Sequence, residues 1–189
     1  MEKKDCGAFI GPPKHIGWLL RIGIRISRRV TGKDICIARL LAWYPKAAYG
    51  SAILESLVAH RDKTLDERIM KLVRMQASTS AACPFCTDMN SFEYKKAGIT
   101  DLEYKALIAG EGHSDTSTFS RREEVALEYA RLISQTPLTF PAAIIAELKD
   151  TFSEREIVIL ASTAAQVNYW ARLHSALGVP PAGFTEPDV

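Results

Sequence analysis

The sequence contains no run of about 18 uncharged apolar residues, which excludes a membrane-spanning helix. It also lacks an excess of either charge. Among 189 residues, 24 Lys+Arg stand against 22 Asp+Glu, a formal net charge of +2. This near-balance rules out the basic field with which proteins neutralise nucleic-acid phosphates, and equally the acidic excess of a solvating tail. No Gly/Ser-rich linker or compositional break divides the chain. One globular domain is therefore expected, with an N-terminal arm and basic segment (1–33) packing on a helical domain (34–189).

Cysteine is scarce: Cys6, Cys36, Cys83 and Cys86 are too few for a secreted disulfide scaffold of this length. The opening MEKKDCGAFIGPP carries an acid and two lysines and leads into no signal-peptide core, so a cytoplasmic, reducing location is expected. In that compartment a CxxC pair is more often redox-active or metal-binding than a structural bridge.

What is present is a composition of 47% hydrophobic and 24% charged residues, within the range of folded globular chains. Apolar residues recur at helical spacing far more often than they alternate, which predicts an all-α fold. Residues 14–29 (KHIGWLLRIGIRISRR) combine bulky apolar and basic positions and are compatible with a helix or a strand. The basic, Trp18-bearing segment could lie on anionic lipid, but packing of its apolar face on the protein or a neighbouring subunit is favoured. Helices are expected over about 34–42 and over 45–59, the second with Pro45 in its first turn. Capping-box patterns follow at Thr64–Glu67, Thr100–Glu103, Ser120–Glu123 and Ser153–Glu156. Gly98, Gly110, Gly112 and Gly178 mark helix ends.

Residues 78–98 (STSAACPFCTDMNSFEYKKAG) concentrate unusual chemistry. A helix from about Cys83 through Lys96 would place Cys83, Cys86 and Asn90 on one face. Helical residues three apart lie about 5–6 Å from each other, the separation a disulfide needs, so the two sulfurs could open and close without backbone movement. A nearby helix N-terminus would favour the thiolate. Asp88 is read as a solvated residue turned away from the cysteines. A zinc site would need further ligands, but Cys6 and Cys36 stand alone, and His15, His60, His113 and His174 show no ligand spacing. Inert buried thiols are a second alternative. A thioredoxin-like fold would require strands around the motif, and the flanks are helical.

The order LDERIMKLVRMQAS, CPFC, KKAGIT, RREEVALEYARLIS and FSEREIVILASTAAQVNYWARLHSALGVPP resembles the carboxymuconolactone decarboxylase and alkylhydroperoxidase D-like superfamily over roughly residues 40–181. The resemblance implies a homo-oligomeric, alkylhydroperoxidase D-like helical bundle. For the CxxC-bearing branch it implies a thiol peroxidase with no bound cofactor or metal, acting on small hydroperoxides and recharged by an external thiol donor. Cys86 would attack the peroxide and Cys83 would resolve the sulfenic acid. The branch's relay glutamate, twelve residues before the first cysteine, is replaced here by Lys71, and its histidine, four after the second, by Asn90. Asn90 can hydrogen-bond but has no usable acid–base pKa, whereas the Lys71 cation could favour a thiolate by charge; Glu67 one turn earlier could hold it, but a surface pair of negligible value is the favoured reading. Asn168 and Arg172 on the last helix are expected to be structural, and His174 to be a satisfied or exposed histidine. A helical scaffold with a degenerate site is the rival reading. Lactone decarboxylation is less favoured, because members with that activity lack the cysteine pair.

Overall fold

The computed structural model describes residues 6–58, 63–110 and 119–185. His60, His113, Gly112 and the expected end of the second helix at Ala59 lie outside the described residues. Among those described there are nine α-helices, two short 3-10 turns and no strand. The helices are α1 (Trp18–Thr31), α2 (Cys36–Leu40), α3 (Pro45–Leu57), α4 (Glu67–Ser80), α5 (Pro84–Ser91), α6 (Asp101–Ala109), α7 (Arg121–Ile133), α8 (Ala142–Thr151) and α9 (Glu154–Leu177). No helix among the described residues is long and apolar enough to cross a membrane.

Three of the four capping boxes form as read. Thr100, Ser120 and Ser153 each accept a hydrogen bond from the N3 amide, and Glu103, Glu123 and Glu156 reach back to the N-cap amide. The fourth does not. α4 opens at Glu67 with Asp66 as its N-cap, the Asp66 carboxylate accepting from the Arg68 amide. An aspartate one residue before the first helical position competes well for this role, so the helix starts later than Thr64 would place it.

The same glutamates tie the bundle together. Arg68 on α4 donates to Glu103 and Glu123, both at 2.5 Å, and to the Gly98 carbonyl. Arg122 donates to Glu156 at 2.5 Å and lies over the Phe152 ring. One arginine thus converts two local caps into a contact between three helices.

α4 is the central element and packs against α5, α7 and α9. Its stripe Ile69, Met70, Val73 and Ala77 joins Val125, Ala126 and Ala130 of α7 and Leu160, Ala164 and Val167 of α9 in the main core. A second buried cluster gathers Cys36, Ile37 and Leu40 from α2, Phe85 and Cys86 from α5, Cys83 before it, Ala171 from α9, and Val179 and Phe184 from the C-terminal segment.

The N-terminal region settles one alternative and departs from one expectation. Residues 18–31 are helical, which resolves the helix-or-strand ambiguity. Yet α1 buries no residue. Trp18, Leu19, Ile22, Ile26 and Val30 all face solvent, and Leu20 and Ile24 on the inward side are half-buried. The apolar face therefore does not pack on this chain's core. The arm before it runs across the end of α9: the Phe9 amide donates to the Leu177 carbonyl at 2.9 Å, its ring covers Gly178, and Gly7 faces the Pro180 ring.

Candidate active site

The α4–α5 connection is three residues long and turns through Ala82, whose φ of 48° places a non-glycine residue in the left-handed region immediately before Cys83. Such conformations persist only where surrounding packing holds them. Here the turn sets Cys83 as the N-cap of α5, with Pro84 in the first helical turn. Cys83 is thus outside the helix rather than within it. Its Sγ accepts a hydrogen bond from the Cys86 amide at 3.2 Å, one of the otherwise unpaired donors of the helix start. The two Cα atoms are 5.2 Å apart, the sulfurs are joined as a disulfide, and each residue is 2% exposed.

The expected long helix through Lys96 is broken. α5 ends at Ser91, Phe92 is extended, and Glu93 adopts φ 56° before a 3-10 turn over Tyr94–Ala97 that Gly98 closes. This break decides where the two replaced relay positions go. The Lys71 ammonium donates to the Phe92 carbonyl at 2.5 Å, at the C-terminal end of α5, while the cysteines occupy its N-terminal end. Six residues of helix between Cys86 and Phe92 amount to roughly 9 Å of axial rise. Burial pushes the Lys71 pKa down, and Glu93 and Glu67 oppose that shift. Asn90 is buried and donates through Nδ2 to the Ser78 hydroxyl at 2.8 Å, fastening α5 to α4. Both residues are engaged in holding α5 in place.

The group beside the sulfurs is His174. Its Nδ1 lies 3.8 Å from Cys86 Sγ and 2.7 Å from the Trp170 carbonyl, one turn back along α9. The imidazole is 3% exposed, stacked on Phe85 with centroids 4.1 Å apart and tilted against Trp170. Of the two expected alternatives, exposed is excluded and satisfied holds at Nδ1 alone; that the ring lies beside the cysteines was not expected. A carbonyl can only accept, so Nδ1 carries the hydrogen and donates to Trp170, with Cys86 Sγ alongside as a second acceptor. The remaining nitrogen, Nε2, is buried without a hydrogen-bond partner among the described residues. Desolvation lowers the His174 pKa to about 4 against the opposing Trp170 bond, so the ring is neutral at physiological pH. A signal for this residue did exist in the sequence. Leu160, Ala164, Val167, Ala171 and His174 recur at helical spacing and form one buried stripe of α9.

Asp88 also departs from the solvated role expected of it. It is buried and accepts from the backbone amides of Ala182, Phe184 and Thr185 and from the Thr185 hydroxyl, all within 3.0 Å. Burial disfavours its ionised form, but these bonds outweigh burial and hold the carboxyl below its ordinary value. Residues 182–185 are thereby strapped over α5, and Phe184 meets Phe85 edge-on. Cys6 and Cys36 do not stand alone either: they form a second disulfide, with Cα atoms 5.8 Å apart. The polar side chains of the α9 cluster bond to neighbouring elements. Asn168 donates to Ser134, Arg172 to Thr136 and Trp170 to Glu55, and Tyr169 pairs with Ser51.

The donor atoms of Cys83, Cys86 and His174 all lie within 4.8 Å of one another. In the dithiol form they offer a soft metal ion two thiolates and one imidazole. Joined as a disulfide, the sulfurs are oxidised and not free to ligate.

This helical arrangement recurs among solved structures. A peroxidase-related protein from Ralstonia eutropha JMP134, described as an alkylhydroperoxidase AhpD core, superposes with a TM-score of 0.78 over 93% of this chain and 92% of its own, at 13% identity. The fold is that of the AhpD core. A second structure with this AhpD-like fold, the debrominase Bmp8 in complex with a tribromopyrrole, superposes with a TM-score of 0.73 over 88% of this chain and 87% of its own, at 17% identity. In sequence, the uncharacterized protein YnjA of Escherichia coli K12 is 27% identical over 173 residues, spanning 91% of this chain and 93% of YnjA. No family model matches the chain.

Proposed function

We infer that this protein is a thiol-dependent oxidoreductase that reduces small hydroperoxides through the Cys83–Cys86 pair. The observation that carries the reading is the set of contacts at the sulfurs. Cys83 accepts a helix-start amide, and Cys86 lies beside the Nδ1–H of a buried neutral histidine. Both arrangements favour thiolate over thiol, and the thiolate is the nucleophile. The AhpD-like fold of a peroxidase-related neighbour supports the same chemistry.

The Cys86 thiolate attacks the terminal peroxide oxygen and the O–O bond breaks. Cys86 becomes a sulfenic acid, and the departing alkoxide takes a proton from water. The Cys83 thiolate then attacks Cys86 Sγ, the S–O bond breaks, and the hydroxide leaves as water after protonation. Two thiols and one hydroperoxide become a disulfide, an alcohol and water. An external dithiol returns the pair to its starting state. In this cycle His174 supplies the hydrogen bond that Asn90 and Lys71 do not. The solvent-facing apolar face of α1 supports assembly with further copies of the chain.

Mass spectrometry after one equivalent of hydrogen peroxide tests the reading. Wild type should lose about two mass units, and Cys83→Ser should hold a trappable sulfenic acid at Cys86. Sulfenic acid appearing only in Cys86→Ser would reverse the roles. Thiols inert throughout would favour the scaffold reading, and release of carbon dioxide from a lactone would favour decarboxylation.

A further inference from the structure

The reaction above poses a problem of access. Cys83 and Cys86 are each 2% exposed, under the strap of residues 182–185 that Asp88 holds. An external dithiol protein cannot present a sulfur to so buried a disulfide without displacing that cover. The second cysteine pair lies at the edge of the same construction. Cys36 is 7% exposed and belongs to the buried cluster that contains Cys83 and Cys86, and Cys6 packs against that cluster while remaining partly accessible. A chain of contacts joins the pairs. Gly7, next to Cys6, faces Pro180 so closely that an added Cβ would lie 3.3 Å from its ring. Ala182, two residues on, donates to Asp88 on α5, two residues beyond Cys86.

We propose that Cys6 and Cys36 form a shuttle dithiol, which passes reducing equivalents from an external thiol donor at the surface to the buried Cys83–Cys86 disulfide. The proposal rests on the peroxidase reading of the inner pair. In the transfer the Cys36 thiolate attacks Cys86 Sγ, the Cys83–Cys86 bond breaks, and Cys83 leaves as a thiolate. Cys83 is the better leaving group of the two, because its sulfur already accepts the Cys86 amide. The Cys6 thiolate then attacks Cys36 Sγ, closing the outer disulfide and releasing the Cys86 thiolate. The two protons given up by Cys6 and Cys36 end on Cys83 and Cys86, and the electrons balance with no further reactant. The outer disulfide, accessible at Cys6, is what the donor reduces.

The fully reduced full-length chain, given excess hydrogen peroxide and no external thiol, tests this by counting. Wild type should reduce two equivalents and lose all four of its thiols. Cys6→Ser/Cys36→Ser should reduce one, its inner pair still oxidising, which also shows that its site is folded. In Cys83→Ser/Cys86→Ser the outer thiols should survive on the same timescale. Cys6→Ser/Cys83→Ser leaves one sulfur in each pair and should form a Cys36–Cys86 cross-link identifiable by peptide mass. Several results would overturn the shuttle: wild type stopping after one equivalent, the cross-link failing to form, or the outer pair oxidising as fast without the inner one. Inner thiols that stay reduced in wild type would remove the peroxidase reading and the shuttle with it, a result distinct from loss of the second equivalent alone.

Discussion

His174 Nδ1 stands 3.8 Å from Cys86 Sγ although 88 residues separate the two in sequence. The ring reaches this position because α9 crosses α5 with its buried stripe inward, and its hydrogen is directed by the Trp170 carbonyl one turn earlier. A neutral imidazole held by its own backbone offers the sulfur a fixed donor.

Removing that donor should slow the reaction with peroxide. A hydrogen bond to a charged group is worth about 1.5–3 kcal/mol, so His174→Phe should lower the second-order rate of Cys86 oxidation by roughly tenfold to hundredfold. His174→Gln, which keeps an N–H, should recover part of it. Lys71→Ala should leave the rate within a few-fold, because its ammonium serves the far end of α5. Stopped-flow tryptophan fluorescence during single turnover measures all three.

The same histidine should make stability pH-dependent. Its folded pKa of about 4 lies below the ordinary value of 6.5. Between those values the unfolded chain holds a proton that the folded chain does not, so stability should fall as pH drops through the window, by about 3 kcal/mol at its acid end. Urea unfolding of wild type across that range should show the loss, and His174→Phe should show a shallower slope.

Asp88 should govern the strap. Its carboxyl is held below the ordinary value, so its contribution is complete above that value and is lost as pH falls through the lowered one. Asp88→Asn leaves amides of Ala182, Phe184 and Thr185 with a weaker acceptor, at an expected cost of about 1.5–3 kcal/mol. Limited proteolysis should then cut near residues 182–185 well before the helices are attacked.

Arg68 links the caps of α6 and α7 to α4. With Glu103 4% exposed, Arg68→Ala leaves a buried carboxylate without its cation, an expected destabilisation of about 3–5 kcal/mol by chemical denaturation. Arg122→Ala, whose site is more open, should cost less.

The exposed apolar face of α1 should be covered in solution by another copy of the chain. Light scattering of wild type is expected to give a multiple of the 20.9 kDa monomer, and Ile22→Ser/Ile26→Ser to shift the mass toward the monomer. A wild-type monomer at micromolar concentration would refute the assembly.

Local chemistry was legible in the linear chain. Ser or Thr three residues before Glu is a local capping signal, so Thr100, Ser120 and Ser153 declared α6, α7 and α9, and two cysteines three apart lie within bonding reach where a helical turn runs between them. Where local signals competed, the nearer one won: Asp66 displaced Thr64, and the left-handed Glu93 ended a helix that periodicity would have extended. The partners of the Cys83 and Cys86 sulfurs were decided only by tertiary structure. The residues twelve before and four after the cysteines bond elsewhere, Lys71 to the Phe92 carbonyl and Asn90 to Ser78. The histidine came from α9, the carboxylate of Asp88 found amides 94 to 97 residues away, and Cys6 met Cys36 across 30. Capping energies depend on neighbours along the chain, whereas these contacts depend on which helix faces are pressed together, and that is fixed by burying the apolar stripes of α4, α7 and α9 at once.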